Sequence, residues 1–245
     1  MTDLVYHRLL AAYLLSVLTA LLVFAYHPGL DLAVSRLLID AAQHVAIAPR
    51  VLKHLNDGLR LGMELFAFAA LVATLLAWRR PGLKGAALRC WGFIALNLLL
   101  APGLVVNLIL KSNLGRARPV DVIEFGGGAH FTPAWVISDQ CVRNCSFTSG
   151  DVGLVASVSI CVVVLLWQRL SKLGRGWAVV AACLSVVVIS MLRLALGRHF
   201  LSDVIFSTLI SGGVALVLYP VLLLGDRRPG VEGTKWSLAR MRPAT

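Results

Sequence analysis

Trp177-Ala-Val-Val-Ala-Ala-Cys-Leu-Ser-Val-Val-Val-Ile-Ser-Met-Leu-Arg193-Leu-Ala-Leu196 is a run of twenty residues with a single charge, and Gly-Arg-His199-Phe-Leu-Ser-Asp203 follows it directly. About 20 apolar residues cross the hydrocarbon of a bilayer. That hydrocarbon offers a backbone no hydrogen-bond partner, so such a run reads as a transmembrane helix. Five more runs of the same kind lie outward from it, at about Leu9–Tyr26, Leu61–Trp78, Ala86–Leu110, Val152–Trp167 and Val204–Leu224. The expected fold is all-α, a six-transmembrane-helix bundle forming one integral membrane domain over residues 1–245. The third run contains Pro102-Gly103, where a bend is expected.

Composition agrees with this reading. Of the 245 residues, 58% are hydrophobic and 14% charged, and the mean hydropathy is +0.83. Soluble domains carry about 25% charged residues, so an ordinary soluble enzyme and a disordered chain are both excluded. No cleavable signal peptide is evident, because the first apolar run is long enough to span. Between the first two spans, about Pro28–Arg60 is too polar to cross. There Leu30, Val34, Leu37, Leu38 and Ala41 recur at helical spacing among Asp31, Arg36 and Asp40. A short amphipathic helix on the outer membrane surface is expected. The tail after Gly225 is basic and reads as a solvated or lipid-touching end.

The net charge of +11 fits a nucleic acid, an anionic lipid surface or a phosphorylated substrate, and its distribution separates them. Thirteen of the 23 Lys and Arg residues fall on one set of alternate segments: the N-terminus, the second-to-third loop, the fourth-to-fifth loop and the tail. Of the other ten, five (Lys111, Arg116, Arg118, Arg193 and Arg198) sit in two tight clusters that call for a chemical explanation. Cationic loops face the cytoplasm, which places both termini inside and the clusters outside. Nucleic acid is not needed to account for the charge.

Three clusters then share the outer face. They are Lys111-Ser-Asn-Leu-Gly-Arg-Ala-Arg118-Pro119, Ser146-Phe-Thr-Ser149-Gly150-Asp151, and Arg193-Leu-Ala-Leu-Gly-Arg-His199-Phe-Leu-Ser-Asp203. Arginine matches phosphate oxygens with its fork and lysine adds a point charge. Ser149-Gly150 at a helix start offers a hydroxyl, free N–H groups and the positive end of the helix dipole. His199 is the nearby group suited to act as a nucleophile near neutral pH. Asp203, four residues on, shares a helix face with His199 if the last helix begins there, and can hold its tautomer.

The order Lys-x6-Arg-Pro, Ser-Gly plus an acid/base residue, and Arg-x5-His-x3-Asp resembles the type 2 phosphatidic acid phosphatase superfamily of membrane lipid phosphatases. The motifs cover Lys111 to Asp203, and the six-span layout extends the resemblance to nearly the whole chain. It implies that Lys111, Arg118 and Arg193 bind phosphate, with Ser149 and Gly150 in the pocket. It implies that His199 forms a phosphohistidine supported by Asp203, and that no metal or other cofactor is used. Three positions depart from the pattern, one of them Thr148, which stands where the family has Pro. Leu192 stands where the family has Ser, and Asp151 stands where it has the histidine that protonates the leaving oxygen. A carboxyl group does that work only while it carries a proton. Asp151 could be the acid, could orient Lys111 or Arg118, or could mark a weakened enzyme.

Cys141-Val-Arg-Asn-Cys145-Ser146-Phe147, ahead of Ser-Gly-Asp, is similar to the bacterial lipid A phosphatases of that superfamily. The expectation is a phosphomonoester hydrolase of the inner membrane with a periplasmic site, acting on the 1- or 4′-phosphate of lipid A. Undecaprenyl pyrophosphate and phosphatidylglycerol phosphate are alternative substrates. A lipid-binding or lipid-moving protein that lost turnover is the alternative from another class. Arg116 and Arg198 match no motif position and read as surface or headgroup contacts. Glu64, inside the second span, is either functional or paired with an arginine. His130, Cys141 and Cys145 could suggest zinc, but a fourth ligand is not evident. An oxidising outer compartment favours a Cys141–Cys145 disulfide instead, while Cys90, Cys161 and Cys183 lie in apolar runs and read as small buried hydrophobes.

Overall fold

A computed structural model describes residues 3–44, 49–79 and 85–223. The basic tail after Gly225, and Arg80 and Lys84 of the second-to-third loop, lie outside the described residues. The elements are α1 (Asp3–Tyr26), α2 (Gly29–His44), α3 (Pro49–Arg79), α4 (Ala86–Leu98), a π-helical stretch (Leu99–Leu110), α5 (Lys111–Asn113), α6 (Gly150–Leu166), α7 (Lys172–Ala195) and α8 (Leu201–Leu222). Two short 3-10 turns, Pro119–Asp121 and Ile123–Phe125, lie in the loop between α5 and α6, and the described residues form no strand beyond one isolated bridge, Val122 to Ala129. Among the described residues, five helices are long and apolar enough to cross a membrane: Leu4–Tyr26, His54–Arg79, Ala87–Asn113, Lys172–Ala195 and Leu201–Leu222. Gly150–Leu166 is apolar but shorter. Large apolar side chains such as Leu15, Phe68, Leu108 and Val217 face outward, as lipid contact requires.

Helix α8 is the hub, packing on α1, α2, α4, α6 and α7. Its Ser207, Ser211 and Ala215 are buried, one turn apart. Lipid tails are as apolar as the helices, so close approach at small residues and hydrogen bonds between helices hold such a bundle. Ser211 Oγ donates to Gly153 O of α6 at 2.9 Å, and Asn97 Nδ2 of α4 donates to Ser211 O at 3.5 Å. Around this axis one apolar cluster joins Ala70, Phe93, Leu98, Cys161 and Ala215. Another joins Val152, Ile189, Leu194 and Val204.

Several expectations are refined. The bend at Pro102 takes the form of a widened helix, Leu99–Leu110. Proline lacks the N–H that an α-helix needs, and the Pro102 carbonyl is met five residues on by Asn107 Nδ2 at 2.7 Å. A helix forms at Gly29–His44, but its polar Asp31 and Ser35 turn into the protein while Leu37 turns out. It packs on α7 and α8. The rest of the polar segment joins α3, which starts at Pro49 rather than near Leu61. Glu64 pairs on its own helix with Arg60, at 2.7 Å.

The long loop before α6 packs against α8 and the α7–α8 turn. Trp135 stands edge-on to Phe147 and Phe206, with ring centroids 4.9 and 5.2 Å apart. Val120 N donates to Gly197 O at 3.1 Å, tying the loop to the α7–α8 turn. At Gly115 (φ +60°) a Cβ would sit 1.8 Å from Ser138 O, so only glycine fits this crossing.

Candidate active site

His199 occupies the turn between α7 and α8 and is fully buried. Helix α8 begins at Leu201 with Phe200 as its N-cap, so His199 precedes the helix instead of sharing a helical face with Asp203. The two meet because Asp203, in the first turn, reaches back. Its Oδ2 accepts the Phe200 N–H at 2.8 Å, half of a capping box, and lies 3.5 Å from His199 Nδ1. A closer acceptor for Nδ1 is the Ser146 carbonyl, at 2.8 Å. Both neighbours of Nδ1 are acceptors, so Nδ1 carries the hydrogen and Nε2 the lone pair. Nε2 is 3.4 Å from Arg193 NH2. Burial lowers the His199 pKa to about 4, with the positive charges of Arg193 and Lys111 adding to it and Asp203 opposing it. The imidazole is therefore neutral at physiological pH, the state a nucleophile needs.

Cations surround that lone pair. Lys111, on the turn that ends the third span, lies in electrostatic range of Arg118, Asp151 and Arg193. Arg118 is 7% exposed and donates to Asn144 O at 2.7 Å. Burial, with Arg198 and Arg193 nearby, lowers its pKa to about 10, so it stays charged. Arg193 closes the third side from the last turn of α7. Ser149 is the N-cap of α6 and Gly150 its first residue, so the free amides of that helix start at the cluster. Gly150 lets that start lie close to Asn107: a Cβ there would meet Asn107 Oδ1 at 2.7 Å and push that side chain aside. Ser149 Oγ, Thr148 Oγ1 and Arg193 Nε are buried and without a hydrogen-bond partner among the described residues. Unpaired buried donors beside convergent cations are what an oxyanion would satisfy.

Asp151 pairs with Arg193, Oδ2 to NH1 at 3.0 Å; orienting Lys111 or Arg118 was one of the three roles that the sequence left open. Arg116 is the largest correction. It is 1% exposed, not a surface or headgroup contact. It donates to Asp203 Oδ1 and Asp31 Oδ2, both at 2.7 Å, to Ser202 Oγ and Thr132 O, both at 2.8 Å, and lies over the Phe200 ring at 4.3 Å. Sequence reasoning also missed Asp31, Ser146 and Ser202. Ser146 Oγ donates to Asp203 Oδ2. The one available signal was a carboxylate, Asp31, on an otherwise apolar helical stripe. Arg198 is exposed, as expected. Cys141 and Cys145 are bridged, with Cα atoms 5.6 Å apart; of the free cysteines Cys161 is buried and Cys90 half-buried, whereas Cys183 is exposed on α7, where an apolar side chain can face lipid instead of the core. His130 is exposed, and no group of three potential metal ligands occurs among the described residues.

The chain gathers Lys-x6-Arg-Pro, Ser-Gly and Arg-x5-His-x3-Asp around one buried imidazole, and it belongs to the PAP2 superfamily, whose family model matches residues 91–224. Among characterised relatives it is similar to the lipid A 4′-phosphatase of Francisella tularensis subsp. novicida, 42% identical over 114 residues, which are 46% of this chain and 50% of the relative. It is similar also to the lipid A 4′-phosphatases of Rhizobium leguminosarum (39% over 127 residues, 52% of this chain and 51% of the relative) and Rhizobium etli (40% over 126 residues, 51% and 46%). The chain spans about half the length of the curated relatives it matches. No solved structure matches it.

Proposed function

We propose that this protein is a metal-independent lipid phosphatase of the bacterial inner membrane that hydrolyses the 4′-phosphate of lipid A at the periplasmic face. The observation that carries the reading is the Nε2 lone pair of His199 set among Lys111, Arg118, Arg193 and the start of α6. Nε2 attacks phosphorus, the P–O bond to the lipid breaks, and the leaving oxygen takes a proton. Water then attacks the phosphohistidine, releasing inorganic phosphate and restoring the imidazole. The three cations and the α6 amides neutralise the charge on the transferring group. Asp203 and the Ser146 carbonyl hold Nδ1–H while the ring is positively charged. Asp151 faces the same pocket and is the candidate proton donor. The relatives' names support lipid A and the 4′ position, and the basic-residue asymmetry supports the periplasmic side. Gly150–Leu166 completes a sixth crossing beside the five longer helices, and α2 lies at the outer surface. An oxidised Cys141–Cys145 pair fits that compartment.

The Asp151–Arg193 pair favours a second reading, a lipid-binding protein with lost turnover, because it ties one phosphate ligand to a carboxylate. Phosphate release from purified lipid A, undecaprenyl pyrophosphate and phosphatidylglycerol phosphate decides between the two. Mass spectrometry of the lipid A product should show one phosphate lost from the distal sugar. His199→Ala should abolish release without loss of expression. Release from none of the three lipids, or equal release by His199→Ala, would refute the enzymatic reading. Labelling of a cysteine placed at Ala129 in intact cells should succeed, and failure would put the site in the cytoplasm.

A further inference from the structure

We propose that Arg116 and Asp31 are positioning residues for the nucleophile: Asp31, on a helix outside the family-matched region, holds the Arg116 guanidinium, which holds Asp203 against His199. The inference rests on the phosphohistidine reading above. Asp31, Arg116, Ser202 and Asp203 are all 1% exposed or less. Asp31 Oδ1 accepts Ser202 N at 2.8 Å, and its Oδ2 accepts Ser202 Oγ at 2.6 Å and Arg116 NH2 at 2.7 Å. Arg116 NH1 continues the chain to Asp203 Oδ1, whose carboxylate reaches His199 through its other oxygen. With Phe200 beneath its plane and all three of its nitrogens engaged, the guanidinium is fixed in place. Family-matched residues begin at 91, so α2 supplies a carboxylate that the matched region does not contain.

Packing alone does not call for this network, since an apolar replacement of a buried ion triad is often neutral or stabilising. Its charge suits the chemistry. One guanidinium between two carboxylates leaves a net negative charge, and Asp203 presents it to the ring that becomes cationic when Nε2 is phosphorylated. Asp31 takes part of Arg116's charge, which leaves more of Asp203's charge for the imidazole. The other charges facing His199 are Arg193 from α7, itself paired to Asp151 of α6, and Lys111 from α5.

Three variants displace this balance differently. Arg116→Gln leaves two carboxylates near the ring without their cation, so His199 binds a proton more readily. Asp31→Asn turns the whole of Arg116's charge on Asp203, so His199 binds a proton less readily; burial raises the Asp31 pKa, so the carboxylate is partly protonated in the acid limb and this displacement is the smaller of the two. Arg116→Lys keeps the charge but cannot span both carboxylates. The experiment measures kcat/KM against pH on a lipid monophosphate in mixed micelles, with each full-length variant compared to wild type. The acid limb, which reports free-enzyme His199, should move up for Arg116→Gln and down for Asp31→Asn. A displacement of about half a pH unit or more is expected for Arg116→Gln, and a smaller one of opposite sign for Asp31→Asn. Arg116→Lys should keep the wild-type limb and lower kcat at least about tenfold, the scale of a misplaced catalytic group. Limbs that stay put, or move the same way in both charge variants, overturn the inference and leave a structural role. If Arg116→Gln does not elute as a folded species, Asp31→Asn and Arg116→Lys decide alone. Wild-type turnover that depends on His199, together with unmoved limbs, refutes this inference alone. Absence of such turnover refutes the functional reading beneath it.

Discussion

Asp203→Asn tests the geometry most severely, because the change is isosteric and Asp203 itself is fully buried. The wild-type carboxylate accepts from Arg116 at Oδ1, and from Ser146 Oγ, the Phe200 N–H and the His199 Nδ1–H side at Oδ2. An amide has one oxygen. If its NH2 faces Arg116, a buried cation loses a charged partner, worth about 1.5–3 kcal/mol for a hydrogen bond to a charged group. If its NH2 faces the other side, three donors are left opposite a donor. Neither orientation holds the imidazole tautomer. Removal of the carboxylate in serine-protease triads lowers kcat about 10⁴-fold by that route, and a loss of at least about 10³-fold is expected here, since the Ser146 carbonyl retains part of the tautomer control. The assay is phosphate release from lipid A with quantitation of the phosphohistidine. Because Asp203 acts through His199, Asp203→Asn combined with His199→Ala should be no worse than His199→Ala alone. A loss below about tenfold, under the usual range for a group in proton-transfer catalysis, would refute the reasoning, as would additive losses in the double variant.

Asp151→Asn should lose at least about 10² in rate on lipid A, the scale of general acid catalysis, and far less on an aryl phosphate whose leaving group needs no proton; equal losses on both would make Asp151 an orienter of Arg193. Gly150→Ala should lower activity by pushing Asn107 out of the helix start, and Asn107→Ala in the same chain should recover part of it; no loss in the single variant would remove the close approach from consideration. Activity should persist on the acid side well below pH 6 and fall as His199 protonates near pH 4; because the unfolded imidazole takes its proton near 6.5 and the buried one does not, stability should also decline as pH drops through that window, and a rate that falls already at pH 6.5 would contradict the burial of His199. Reduction of Cys141–Cys145 should slow turnover, since Asn144 O holds Arg118 and Ser146 O holds His199 at the end of that five-residue ring; an unchanged rate, with reduction verified by thiol labelling, would show that the loop is held by Trp135 and its neighbours alone.

The helices and the chemistry-bearing residues were legible in the sequence because both depend on short-range properties. A run such as Trp177–Leu196 must be helical wherever it lies in hydrocarbon, since its backbone has no other partner. Lys111, Arg118, Arg193 and His199 could be singled out because residue type and spacing limit what they can do. The partnerships depended on which helices became neighbours. Arg116 stood between two motif cations and looked like one more surface charge; it is buried because Asp31, 85 residues away, and Asp203, 87 residues away, arrive on either side of it. A charge leaves water only where opposite charge and hydrogen bonds receive it, and no local pattern records that meeting. The same holds for Asp151, whose partner Arg193 comes from another helix, and for His199 Nδ1, whose nearest acceptor is a backbone carbonyl that side-chain motifs do not encode. Hydropathy acts residue by residue and can be read along the chain, whereas the tertiary structure alone decides which charges meet once the helices have packed.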